Sequence, residues 1–167
     1  MRCAIAVLSM LIGFGAAEAQ TPYVARVEIV KAGIMRADTK PKPIIDKSIS
    51  TGTRVDYPDD PRVVAKTKDI AINGKTIFGI EAKLSGTPPG TQAQIKVVWL
   101  YPEPGIKAPG AATGKLRDEY ATSQDLGTTS SYYWTADEGY TPVPGKWTIE
   151  LWQCDRRLAR QDFTMLK

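Results

Sequence analysis

The sequence predicts an all-β domain, a sandwich or barrel of about seven short antiparallel strands. Three observations carry this prediction. Apolar and polar residues alternate with a period of two in one segment after another, no segment shows the 3.6-residue repeat of an amphipathic helix, and Gly, Pro, Asn and Asp clusters separate the alternating runs. Short strands at such spacing are the pattern of sandwiches and barrels. No internal repeat or low-complexity tract interrupts it.

The first strand is expected over Val24 to Met35, ending near Gly33, with Val27 and Ile29 on one face and Arg26, Glu28 and Val30 on the other. Residues 36–62 carry Pro41, Pro43, Pro58 and Pro61, which predicts a long irregular connection with room for a short edge strand. Asn73-Gly74 lies between two apolar runs and predicts a two-residue hairpin, since both residues tolerate the positive φ of a type I′ turn. Phe78, Ile80, Ala82 and Leu84 then alternate with Gly79, Glu81 and Lys83 up to the turn residues 85–90. Gln92 to Tyr101 follows, with Ala93, Ile95, Val97 and Trp99 on one face, and Pro102 to Gly114 is a Pro/Gly/Ala loop.

Residues 117–126 and 129–135 are expected to form a second hairpin around Gly127, although its first half is polar. Pro142 to Gly145 forms a turn into the strongest strand, Lys146 to Trp152, and Leu158 to Leu166 returns alongside it. Pairing Leu151 with Ala159 and Trp147 with Phe163 joins the two apolar sets. That register demands a bulge, or an odd-length loop centred on Asp155, and it sets Trp152 opposite Leu158 on the outer face. Either residues 36–62 or 102–114 cover that pair, or a partner does.

The chain opens as an export signal. Met1-Arg2 is followed by an apolar run from Ala4 to Phe14 and then by Ala17-Glu18-Ala19, an A-x-A cleavage site. The expectation is a signal peptide at 1–19 and one mature domain at 20–167, located in the periplasm or secreted. The apolar run falls short of the roughly 20 residues that a spanning helix needs, and no later stretch reaches that length. The 148 residues left from 167 suffice for one core without staples, since a chain of that size buries roughly 68–70% of its unfolded surface.

Several segments together resemble a bacterial family of exported or surface domains, domain of unknown function 3859. They are Lys31 to Met35, Phe78 to Gly86, Val98-Trp99-Leu100-Tyr101-Pro102-Glu103-Pro104-Gly105, and Val143 to Trp152 continuing through Asp155 to Ala159. The resemblance spans most of residues 24–166. It implies an immunoglobulin-like antiparallel β-sandwich in a bacterial, exported setting, and it implies no activity.

Composition excludes several chemistries. The chain has no histidine, which removes Ser-His-Asp and Cys-His catalysis and every His-containing zinc site. Cys3 leaves with the signal, so Cys154 has no intramolecular partner; it is expected as a small buried residue, with intermolecular pairing as the alternative. No P-loop, G-x-G-x-x-G or EF-hand loop occurs, and neither cofactor nor metal is expected. The 22 Lys+Arg and 18 Asp+Glu give a net charge of +4 with the signs interspersed, which argues against a nucleic-acid partner.

The acid pairs Asp59-Asp60, Asp118-Glu119 and Asp137-Glu138 raise the question of a hydrolase. A glycosidase needs two carboxyls facing across roughly 5–9.5 Å, whereas neighbours on a strand point to opposite faces. A calcium site built from Asp59, Asp60 and neighbouring carbonyls is a further alternative, since hard cations accept such oxygen donors. Trp99 and Trp147 belong to the core. Tyr132-Tyr133-Trp134 must place rings on both faces of its strand, which makes Tyr133 and Trp134 candidate contacts to glycan.

The function expected is a non-enzymatic exported module binding a protein or envelope component. The candidate surface is Trp152 and Leu158 flanked by Arg156 and Arg157, since Trp and Arg are enriched at interface hot spots. Carbohydrate recognition through exposed aromatics is the alternative, and a carboxylate-based hydrolase comes third.

Overall fold

The computed structural model describes residues 21–47, 49, 52–71, 76–107, 111–135 and 143–167. Among them are eleven strands and no helix. They are β1 (Tyr23–Arg36), β2 (Lys42–Ile45), β3 (Thr53–Asp56), β4 (Arg62–Lys66), β5 (Asp69–Ala71), β6 (Ile77–Thr87), β7 (Gln92–Leu100), β8 (Arg117–Asp125), β9 (Thr129–Thr135), β10 (Gly145–Gln153) and β11 (Arg156–Leu166). A four-stranded sheet, β4-β1-β6-β9, packs on a five-stranded one, β5-β11-β10-β7-β8, and β2-β3 forms a separate ribbon.

The alternating runs supply the facing layers. From β6, Phe78, Ile80, Ala82 and Leu84 point inward, each at most 1% exposed. From β7 come Ala93, Ile95, Val97 and Trp99, and from β10 come Trp147, Ile149 and Leu151. Phe78 is the hub, with ring centroids 5.6 Å from Trp99, 5.7 Å from Trp147, 5.3 Å from Phe163 and 5.8 Å from Trp134. The Trp147 indole nitrogen donates to the Val143 carbonyl at 2.9 Å, so a polar tip is satisfied inside an apolar layer.

The C-terminal hairpin takes the expected register, with Trp147 opposite Phe163 and Leu151 opposite Ala159. A bulge between Leu151 and Trp152 absorbs the extra residue, and this corrects one contact. Trp152 faces Arg157, while Leu158 turns to the core periphery, because packing an apolar side chain against the core outweighs leaving it on the outer face. Cys154 is exposed rather than buried. It holds a positive φ of 51° in the two-residue turn between the paired Gln153 and Arg156, at the solvent-exposed end of the hairpin.

Four other expectations need correction. Among the described residues the strands number eleven rather than about seven, partly because the 36–62 segment holds β2, β3 and the start of β4. The Val63 amide donates to Glu81 Oε1 at 2.7 Å, which helps seat that short edge. The pairing is not wholly antiparallel, since β5 runs parallel to β11. Asn73-Gly74 lies outside the described residues, but the flanking strands form no two-residue hairpin: β5 joins β11 and β6 joins β1 and β9. Ile70, fully buried beside Met165, draws β5 to the second sheet.

β8 and β9 are likewise not a hairpin. Leu126, 2% exposed, plugs the end of the core. Its amide bonds the Thr91 carbonyl at 2.9 Å, while the Gly127 amide bonds the Leu84 carbonyl at 2.7 Å. The chain thus steps from one sheet to the other, and the turn's polar groups are satisfied by β6 and the residues before β7 rather than across a ladder.

The outer face of the five-stranded sheet carries a charge ladder. Asp162 is 2.8 Å from the Lys146 ammonium, 2.7 Å from the Thr148 hydroxyl and 3.1 Å from Arg160 Nε. Desolvation pushes the Asp162 carboxyl up, but hydrogen bonds from Lys146, Thr148 and Arg160 outweigh it and bring it down to about 2. A depressed folded-state value means stability that is present above the ordinary aspartate range and lost as pH falls toward 2. Acid denaturation of the Asp162→Asn variant should therefore lack part of the wild-type loss between about pH 5 and pH 2, modestly so for a solvent-screened group. Parallel curves for the two proteins across that range would refute the assignment.

Candidate functional site

The two sheets differ by one strand in width, and the consequence appears along β8. Its inner face sets Asp118, Tyr120, Thr122 and Gln124 beside Trp99, Val97, Ile95 and Ala93 of β7. A polar inner face is tolerated because it looks into a cleft rather than onto an apolar sheet. The cleft holds about 290 Å³ between β8 and β9 and is closed on a third side by β3 and Asp60. The segment that closes it is tied to the outer face of β9. The Ser131 hydroxyl donates to the Pro61 carbonyl at 2.6 Å, the Tyr133 hydroxyl donates to the Val55 carbonyl at 3.3 Å, and Tyr57 packs edge-on against Tyr133 at 5.6 Å.

Within the cleft, Arg54 from β3 places its guanidinium 5.2 Å from the centroid of the Tyr120 ring. Burial raises the Tyr120 phenol to about 12, against the lowering effects of Arg54 and of a hydrogen bond with Trp99, so it stays protonated. Burial likewise pushes the Tyr132 phenol up. Tyr132 is 3% exposed, and neither its hydroxyl nor Arg54 Nε has a hydrogen-bond partner among the described residues, though both atoms are buried. Such a group normally costs about 1–3 kcal/mol, so its persistence asks for an explanation.

The carboxylates are arranged unequally. Asp118 is 6% exposed and accepts from the Tyr101 hydroxyl at 3.0 Å, while its neighbour Glu119 points outward to Arg117 at 2.8 Å, as strand alternation requires. Asp60 stands at the rim, where burial and then the charge of Asp56 raise its pKa, partly offset by a hydrogen bond from the Ser131 backbone. Asp59 is exposed, and its amide donates to the Thr39 hydroxyl oxygen at 3.4 Å. Among the described residues, no three acidic or cysteine side chains converge as a metal-holding group. Asp137-Glu138 lies outside the described residues.

The six residues singled out from sequence fall in four places. Trp152 and Arg157 share the outer face of the five-stranded sheet. There Trp152 is half-buried between Lys96 Nζ at 5.9 Å and the Arg157 guanidinium at 6.0 Å, with its indole donating to Glu150 at 3.0 Å. Of the 36–62 segment, Val55 and Pro61 are bonded instead to Tyr133 and Ser131 of β9. Arg156 sits on the opposite face from Arg157, 4.7 Å from the Tyr23 ring and bonded to the Val24 carbonyl, where it holds the start of β1. Leu158 packs toward the core. A single Trp152–Leu158–Arg156–Arg157 patch is therefore not formed.

Tyr133 and Trp134 both line the cleft, but neither is an exposed platform. Trp134 is 8% exposed within the core cluster, and Tyr133 is covered by Tyr57. Sequence reasoning missed Arg54 and Tyr120, and it named Tyr132 only as one ring of the Tyr132-Tyr133-Trp134 run. The available signal was residues 117–126, whose strand pattern is polar on both faces and so cannot belong wholly to a core.

Fold and cleft together define an immunoglobulin-like β-sandwich with a polar, aromatic-lined opening at one side. An immunoglobulin-like protein from Pseudomonas aeruginosa, known from a crystal structure, is similar over 85% of this chain and 98% of its own, with a TM-score of 0.51 and 20% sequence identity. That likeness supports the fold. No protein-family model matches the chain, and no curated protein matches it in sequence.

Proposed function

We propose that the protein is an exported, non-enzymatic binding module that holds an envelope component in the cleft between β8 and β9. The observation carrying this reading is the pair of buried, unpartnered polar atoms, Tyr132 Oη and Arg54 Nε, in a preformed opening. Small-molecule sites are concave, with a few convergent polar groups on an apolar wall. Export rests on the N-terminal signal pattern, and kinship with domain of unknown function 3859 rests on the four segments that resemble it.

A screen of a few hundred uncharged and charged fragments by ligand-observed NMR, with amide shifts to locate each hit, tests the reading. Hits should cluster on Tyr120, Thr122 and Tyr132 amides. Hits confined to the Trp152 and Arg157 face would replace the cleft with that surface. Intact mass of the natively exported protein should begin at Gln20, and a product retaining Arg2 would remove the export step.

One observation favours a second reading, a carboxylate hydrolase: Asp56, Asp60 and Asp118 line one cleft, and burial raises the Asp60 carboxyl, the direction a general acid needs. Asp118, however, is already engaged by Tyr101. Release of reducing ends from peptidoglycan or oligosaccharides, abolished in Asp60→Asn, would establish hydrolysis in place of binding.

A further inference from the structure

We infer that the cleft recognises a single uncharged, polyhydroxylated ring, a neutral sugar residue, and the inference rests on the cleft being the binding site.

The unpartnered atoms state what a ligand must supply. Arg54 Nε–H can only donate, whereas the Tyr132 hydroxyl can donate and accept. One hydroxyl-bearing ligand satisfies both, because an alcohol oxygen accepts from Arg54 while a neighbouring alcohol exchanges a hydrogen bond with Tyr132. Tyr120 and Tyr132 remain neutral phenols, and Thr122 and Gln124 add further uncharged donors and acceptors along the same wall.

Electrostatics disfavour anionic ligands. Among the described lining residues, Asp56, Asp60 and Asp118 stand against one cation, Arg54, so this lining repels phosphate, sulfate and acidic sugars although the chain as a whole is at +4. A quaternary ammonium group has no acceptor to offer the Arg54 N–H and would lie close to the guanidinium that covers the face of Tyr120. Size narrows the choice further. At about 290 Å³ the cleft lies at the bottom of the roughly 300–1,000 Å³ range of small-molecule sites, which suits one ring rather than a chain of them.

The test is an amide-shift titration of ¹⁵N-labelled protein with glucose, galactose and N-acetylglucosamine, alongside inorganic phosphate and choline. At least one sugar should saturate the shifts of Tyr120, Thr122 and Tyr132, and phosphate and choline should leave them in place. Tyr132→Phe removes only an unpartnered hydroxyl. It should keep or raise the denaturation midpoint while weakening the sugar by about three- to tenfold, the worth of one neutral hydrogen bond. Phosphate or choline moving those amides more than every sugar would overturn the ligand class and leave the cleft as the site. Unchanged sugar affinity in Tyr132→Phe would overturn the recognition argument. If no probe moves a cleft amide, both the class and the site fall.

Discussion

Replacing Phe78 by alanine is expected to cost about 3–5 kcal/mol, the range for truncating a buried aromatic, and to fall in the upper half of it. Phe78 is fully buried, and its ring meets Trp99, Trp147, Phe163 and Trp134 at centroid distances of 5.3 to 5.8 Å. Three of these contacts are edge-on, the geometry that brings ring edge to ring face and adds to area burial. The four neighbours come from β7, β9, β10 and β11, so no one of them can collapse into the void without disturbing its own strand. A domain at the low end of the ordinary range of about 5–15 kcal/mol would be left near its folding threshold. Urea denaturation should show a large fall in midpoint at an unchanged slope. A loss near 1 kcal/mol would mean that the two sheets do not meet at this residue.

Gly79→Ala carries the second large effect and acts through backbone rather than side chains. A Cβ on Gly79 would lie 2.1 Å from the Tyr132 carbonyl oxygen and 2.7 Å from the Tyr133 Cα. Neither atom can rotate away, so β9 must shift relative to β6. Overpacking of this kind costs typically about 1–3 kcal/mol, and a backbone obstacle belongs at the high end. Because Tyr132 and Tyr133 line the cleft, the same substitution should move the amide signals of β9 even where the protein remains folded. An unchanged midpoint together with an unchanged β9 spectrum would show that the β6–β9 pairing is wrong.

The long alternating runs were legible because each faces one apolar layer. Phe78 to Leu84, Ala93 to Trp99 and Trp147 to Leu151 announce both their strand type and their buried face, since a one-residue slip would turn every core side chain to water. The same constraint made the pairing of Trp147 with Phe163 readable. Short edges gave no such signal. β5 has three residues and one buried side chain, Ile70, so neither its sheet nor its parallel direction could be read from period. Around Gly127 the turn residues were visible, but a turn within a hairpin and a step between sheets use the same residue types.

By itself, then, the sequence determined an all-β chain, the inward sets of its strong strands, an aromatic core around Trp99 and Trp147, and the absence of any histidine-based chemistry. Only the tertiary structure decided where the chain changes sheets, which puts β8 and β9 at facing edges instead of in one ladder. That decision joins Arg54, Asp118, Tyr120 and Tyr132, which span 78 positions of sequence, around one opening. Periodicity reports which face of a strand is buried, because burial of apolar area acts on every residue in turn. It does not report which edges meet, because that depends on the sum of contacts between strands distant in the chain.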